Sequence, residues 1–168
     1  MIRQVRAVGT LAAEGALLRI PGARAHDIAI GQAASVDTHI GLVPGRVSRV
    51  DAAPANGIVT VDVTLTGALP YGTRPGMAVD GVVELEWLEN VVYVGLPAFG
   101  QEHSTTTIFR VTRGCDLTQT SCDAVRQRVR FGRASINTIE ILEGLEPGDQ
   151  VVLSDMSAWD GRDRVRLN

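Results

Sequence analysis

Two cysteines, three histidines and one alternating run of arginines are the residues of this chain whose chemistry could do more than fold it. Cys115 and Cys122 lie in RGCDLTQTSCD, between the alternating runs TIFRVTR and AVRQRVRFG. Two strands joined by such a loop form a hairpin, and cysteines near its base face each other within disulfide range. The closed loop is short, so a Cys115–Cys122 bridge would stabilise the fold by about 2–3 kcal/mol. It would also imply an oxidising compartment; the alternative is two free thiols. A metal site is disfavoured, because no second Cys or His pair completes a four-ligand set. In VRQRVRF, Arg126, Arg128 and Arg130 share one strand face, and Val125, Gln127, Val129 and Phe131 share the other. Arg110 and Arg113 belong to the partner strand of the same hairpin. This arginine face reads either as a solvated exterior or as a basic surface for an acidic partner or anionic lipid headgroups.

Catalytic constellations are absent. His26, His39 and His103 are isolated from one another, and no HxH, HxxxH or CxxC spacing occurs. His26 precedes Asp27 and His103 follows Glu102, but adjacent side chains point in different directions, so neither pair forms a dyad. Ser154 and Ser157 lack a GxSxG elbow or a paired base. Neither GxGxxG nor a phosphate loop is present. The expectation is a non-enzymatic protein without cofactor or metal.

The elements that would position these residues are strands. Period-2 alternation dominates: in GIVTVDVTLTG, Val59, Val61, Val63 and Leu65 take one face. In MAVDGVVELEW, Val79, Gly81, Val83, Leu85 and Trp87 do the same. Further strands are expected near 5–11, 16–20, 32–37, 45–50, 91–94, 107–112, 125–131, 137–142, 150–153 and 163–167, separated by PG, NG and GD turns. The one short helix expected lies in PGARAHDI, where Pro21 suits a first turn. Hydrophobic residues make up 45 % of the 168 and aromatics only 4 %, so the core must be aliphatic. The fold class is all-β, a barrel or roll. A boundary near 86–91 divides the chain into two small β-domains. The net charge of −3 argues against a nucleic-acid partner. MIRQVRAVGT lacks the apolar centre of a secretory signal, and VVYVGLPAFG is too short and too broken to span a membrane.

Taken in order, several stretches resemble one family: the periplasmic adaptor subunits, or membrane-fusion proteins of HlyD type, of tripartite export pumps. ARAHDIAIGQAASVDT carries a DI-x-x-GQ pattern leading into a strand. The run from IGLVPGRV to GVVEL, with its RPGM stretch, is similar to the rest of the family's barrel. VVYVGLPAFG, TIFRV and the segment from VRFGRAS to RVRL, with GL-x-x-GD-x-VV, look like its membrane-proximal domain. The resemblance spans about residues 18–168.

It implies a small six-stranded-type β-barrel with one short helix over 15–88, then a β-roll membrane-proximal domain over 89–168. The implied partners are an inner-membrane transporter, an ABC permease or an RND pump, and an outer-membrane channel, with six copies around the full pump. The arginine face, Arg110, Arg113, Arg126, Arg128 and Arg130, becomes the expected contact with transporter or headgroups, in the periplasm at the inner membrane. The family's lipoyl and α-hairpin domains are absent, so this chain is expected as a monomer. RQVRAVGTL and LLRIPGARAHDI resemble the segments that flank the missing half. They meet across AAEGA, which suggests an excision, and residues 1–14 are expected to pair with the membrane-proximal domain. A stand-alone barrel binding a small ligand or glycan is the alternative, and a small periplasmic hydrolase a distant third.

Overall fold

The computed structural model describes residues 1–51, 55–112 and 122–167. The chain divides into two compact units, one over Ile2–Trp87 and one over Leu88–Asn168 together with Met1.

The first unit is a closed barrel of six antiparallel strands. In chain order these are β1 (Ile2–Leu11), β2 (Gly15–Pro21), β3 (Ala33–Asp37), β4 (Leu42–Val50), β5 (Ile58–Leu65) and β6 (Ala78–Trp87). Around the barrel the order is β1-β2-β5-β4-β3-β6, with β6 returning to β1. Alternation does what the sequence suggests: Val59, Val61 and Val63 turn inward, as do Val79 and Val83. Leu18 and Ile20 of β2 and Val36 of β3 are wholly buried among them. Gly81 faces Leu18 so closely that a Cβ there would stand 2.5 Å from both of its methyl carbons, so glycine makes room for the largest interior side chain. A barrel this small is filled by its own side chains. Trp87, expected on the inward face, is 67 % exposed. The register of β1 on β6 slips between Arg3 and Gln4, leaving Leu85 without an opposite residue and ending the strict alternation.

The single helical turn α1 (Gly22–Ala25) follows β2, and Ala25 and Ile28 pack onto the barrel core. The DI-x-x-GQ residues then anchor the connection. Gln32 Nε2 donates to the carbonyls of Asp27 and Leu85 (both 3.0 Å), and its Oε1 accepts from the Ala29 N–H. Gly31 takes a left-handed φ of 93°. The RPGM stretch holds the far end of β1: the Gly76 N–H donates to the Leu11 carbonyl, and the Leu11 N–H to that of Met77.

One expectation is overturned here. Residues 2–11 pair with β2 and β6, and none of them pairs with a strand of the second unit. The AAEGA stretch is a tight turn between adjacent strands, closed by the Ala12 N–H on the Gly15 carbonyl at 2.8 Å. The physical reason is closure: without β1, strands β2 and β6 would each expose an unpaired edge. The excision reading thereby loses the pairing on which it rested.

The second unit is a curled, half-barrel sheet. Its strands are β7 (Val92–Gly95), β8 (Thr105–Val111), β9 (Cys122–Ala134), β10 (Thr138–Glu143), β11 (Val151–Val152) and β12 (Arg164–Leu167). The order is β11-β8-β9-β10-β7, with β12 also pairing β9. Ile108, Val129, Phe131, Ile139 and Ile141 form one apolar cluster, and Phe109, Ala124 and Val165 another. In the GL-x-x-GD-x-VV segment, Gly144 and Gly148 adopt φ of 103° and 94°, and Val151 and Val152 form β11.

Candidate interaction surface

The arginine face lies on the ladder of β8 and β9, where Phe109 pairs with Arg126, Thr107 with Arg128 and Thr105 with Arg130. Its residues prove unequal. The Arg126 guanidinium sits 5.1 Å from the centre of the Phe109 ring, within cation–π range. Its Nε donates to the Arg162 carbonyl (3.0 Å), Nη2 to the Trp159 carbonyl (2.8 Å) and Nη1 to Thr107 Oγ1 (3.2 Å). Arg126 thus fastens the turn around Ser157–Trp159 and the approach to β12 onto the sheet. Arg130 pairs with Glu143 of β10. Arg110 contacts Asp149 at 3.4 Å, so the GD aspartate neutralises it, and Asp149 also accepts from the Glu146 N–H. Arg128 is exposed and forms no ion pair among the described residues. Arg113 lies outside the described residues, as does Cys115 of the expected disulfide. Cys122 opens β9 opposite Leu167.

Two buried ionic groups escaped the sequence reading. Arg3, 7 % exposed, bridges Asp27 and Glu86, tying the segment after α1 to both β1 and β6. In the second unit Glu140 is 6 % exposed and accepts from the Arg133 N–H (3.1 Å) and Nε (3.2 Å). Burial pushes the Glu140 carboxyl up, but the hydrogen bonds and charge of Arg133, with help from His103, outweigh it and hold it below its ordinary range. Gly132 makes this possible: a Cβ there would lie 2.4 Å from Glu140 Oε2. Arg133, the last residue but one of β9, carries no sequence signal for such a partner.

Among the described residues no catalytic grouping appears. The exposed imidazoles of His26 and His39 each have one carboxylate neighbour, Asp27 at 3.3 Å and Asp80 at 3.8 Å. Among the described residues no three His, Cys, Asp or Glu side chains converge as a metal site. A shallow cleft lined by Ala158, Gly161, Arg162, Asp163 and Arg164 lies open to solvent. No protein-family model matches the chain, and no curated protein matches it in sequence.

The unequal arginines yield a paired expectation. Arg126→Ala should lower stability by about 1–3 kcal/mol, through lost charge-assisted hydrogen bonds and exposed Phe109. Arg128→Ala should change it by no more than about 0.5 kcal/mol. Urea unfolding of both variants checks this, and equal losses would contradict the assignment. Glu140 gives a pH dependence. Its folded value is depressed, so its contribution is present above the unfolded value near 4.5 and is lost as pH falls through the folded value. Glu140→Gln should therefore be less stable than the parent at neutral pH, with the gap closing in acid. A gap independent of pH would show that the carboxylate charge plays no part.

Proposed function

We propose that this chain is the transporter-facing part of a periplasmic adaptor. It is a non-catalytic protein that docks on an inner-membrane export transporter, of ABC or RND type, and couples it to an outer-membrane channel. The observation that carries this reading is the ordered series DI-x-x-GQ, RPGM and GL-x-x-GD-x-VV on a six-stranded barrel followed by a half-barrel sheet. Each pattern sits where it serves the fold: Gln32 ties the helical turn to β6, Gly76 holds the end of β1, and Asp149 holds β8. The second unit takes the membrane-proximal role, with Arg128, exposed and outside any ion pair among the described residues, available to an acidic transporter surface or anionic headgroups. The barrel interior, filled by Leu18, Ile20 and valines, gives no support to a lumenal ligand site. The full pump would hold six copies.

A photo-crosslinking amino acid in place of Arg128, introduced in the source cells, tests the partner. The expected result is a covalent adduct with an integral-membrane transporter subunit. Adducts with soluble proteins alone would sink the proposal. The periplasmic home further calls for a Cys115–Cys122 disulfide. Alkylation of the denatured protein purified from the cell envelope should label neither thiol until a reductant is added; two thiols reactive without it would exclude the bridge.

A further inference from the structure

The tip of the β4–β5 hairpin sets a nucleophile beside an electrophile. Ala55 and Ile58 form an isolated bridge, each N–H donating to the other's carbonyl at 3.0 Å. The two residues between them, Asn56 and Gly57, have φ of 54° and 74°. Positive φ at both central positions of a two-residue loop matches the type I′ turn, for which Asn-Gly is a preferred pair. Asparagine tolerates the left-handed region, and glycine meets no steric limit there. Ala55, Asn56 and Gly57 are all exposed.

Among the described residues, neither the Asn56 carboxamide nor the Gly57 N–H has a hydrogen-bond partner. Asparagine is a thermolabile residue, because the nitrogen of the following residue can attack its side-chain carbonyl and close a five-membered ring. Glycine leaves that approach open: even a Cβ on Gly57 would meet nothing within 4 Å. Asn90 and Asn137 differ, being followed by Val91 and Thr138, whose branched Cβ crowds the same path. The tip is also lightly held. The ladder proper closes with the Asp51 N–H on the Thr60 carbonyl at 2.9 Å. Beyond it, among the described residues, stand the Ala55–Ile58 bridge and one tie to the helical turn, in which the Gly22 N–H donates to the Gly57 carbonyl at 2.8 Å. Rotation about the Asn56 Cα–C bond, which carries the Gly57 nitrogen onto Cγ, therefore works against these three backbone hydrogen bonds and no packed side chain.

We propose that Asn56 is a site of intramolecular deamidation, through which the barrel acquires an isoaspartyl or aspartyl residue as it ages. The Gly57 nitrogen bonds to Asn56 Cγ, the carboxamide C–N bond breaks, and ammonia leaves with the Gly57 amide proton. Water then opens the succinimide at either carbonyl. Opening at Cγ gives aspartate; opening at the backbone carbonyl gives isoaspartate, whose main chain is one carbon longer. Both products add a negative charge. The isoaspartyl form no longer fits a two-residue type I′ loop, and it draws the Gly57 carbonyl away from Gly22 at the start of α1. The product chemistry also fits a partner class, the methyltransferases that recognise isoaspartyl residues. The inference stands on the barrel unit alone and is independent of the adaptor reading.

Incubation of the purified, folded chain at mildly alkaline pH, followed by peptide mapping with mass spectrometry, tests it. The peptide carrying Asn56 should gain one mass unit, and an isoaspartyl methyltransferase with a radiolabelled methyl donor should label it. Peptides carrying Asn90 and Asn137 should stay unchanged over the same period. The aged chain should melt about 4–8 °C lower, the shift that loss of one backbone hydrogen bond gives in a unit of this size. Asn56→Gly, which keeps a pair suited to the type I′ turn, should take up no label and hold its starting melting temperature throughout. A synthetic peptide of the sequence around Asn56 sets the unrestrained rate. An Asn56 that stays intact in the folded chain while this peptide is converted would overturn the proposal. Conversion of Asn90 or Asn137 as fast as Asn56, or equal labelling of parent and Asn56→Gly, would do the same. An aged, labelled chain that melts with the fresh one would overturn the loss of the Gly57–Gly22 tie.

Discussion

A sheet closes into a barrel only when its first and last strands hydrogen-bond each other, and here that condition falls on β1. Its residues from Ile2 to Thr10 run along β6, and its second half also runs along β2. Closure removes every edge of this unit, so each strand has two neighbours and the inward side chains of all six share one interior. The two ends of β1 are fixed by different means. At its start, Arg3 is held between Asp27 and Glu86, where the paired carboxylates outweigh the cost of burying the guanidinium. At its end, Leu11 exchanges backbone hydrogen bonds with the RPGM turn. The register slip beside Arg3 ends the inward pattern before Trp87.

That dependence explains which parts of the fold were legible in the sequence. Alternation assigns residues to faces, and it located the strands because it is local and of fixed period. It does not name a strand's neighbour, since any apolar-faced strand can pair with any other of matching pattern. GTLAAEGALLRIPG shows the limit: each half read correctly as a strand, but the short link between them read as a seam. In the structure Leu11 stands opposite Ala16, and the link is a hairpin turn. Loop tips between adjacent strands are also where chains tolerate insertions, because the flanking residues are already close. The turn is therefore an ordinary end of a hairpin and, equally, a place where a larger domain could be accommodated without disturbing the barrel.

Charge was legible in the same partial way. The spacing of Arg126, Arg128 and Arg130 correctly puts them on one face, but their partners come from distant parts of the chain. Trp159 and Arg162 reach Arg126 through their carbonyls, which no side-chain pattern encodes. Glu143 reaches Arg130 across a ladder that contains two irregularities. Asp149 belonged visibly to a recurrent turn pattern, yet its place beside Arg110 follows from the fold of β11 onto β8. A face that looks uniformly basic in sequence thus carries one freely available cation among its described members.

The balance of available surface shifts as a result. In the second unit most named arginines are engaged in holding strands and turns together, so its basic character serves the fold before it serves a partner. In the barrel the opposite holds: Ile40, Leu42, Leu69 and Tyr71 lie exposed on two adjoining turns outside the core. Alternation could not reveal this, because Ile40, Leu69 and Tyr71 lie outside the strands, among Gly41, Pro70 and Gly72. Scattered apolar residues in two loops acquire meaning only when Gly41 and Pro70 are brought into contact. The same six-stranded closure that hides the valines is what brings those two loops together.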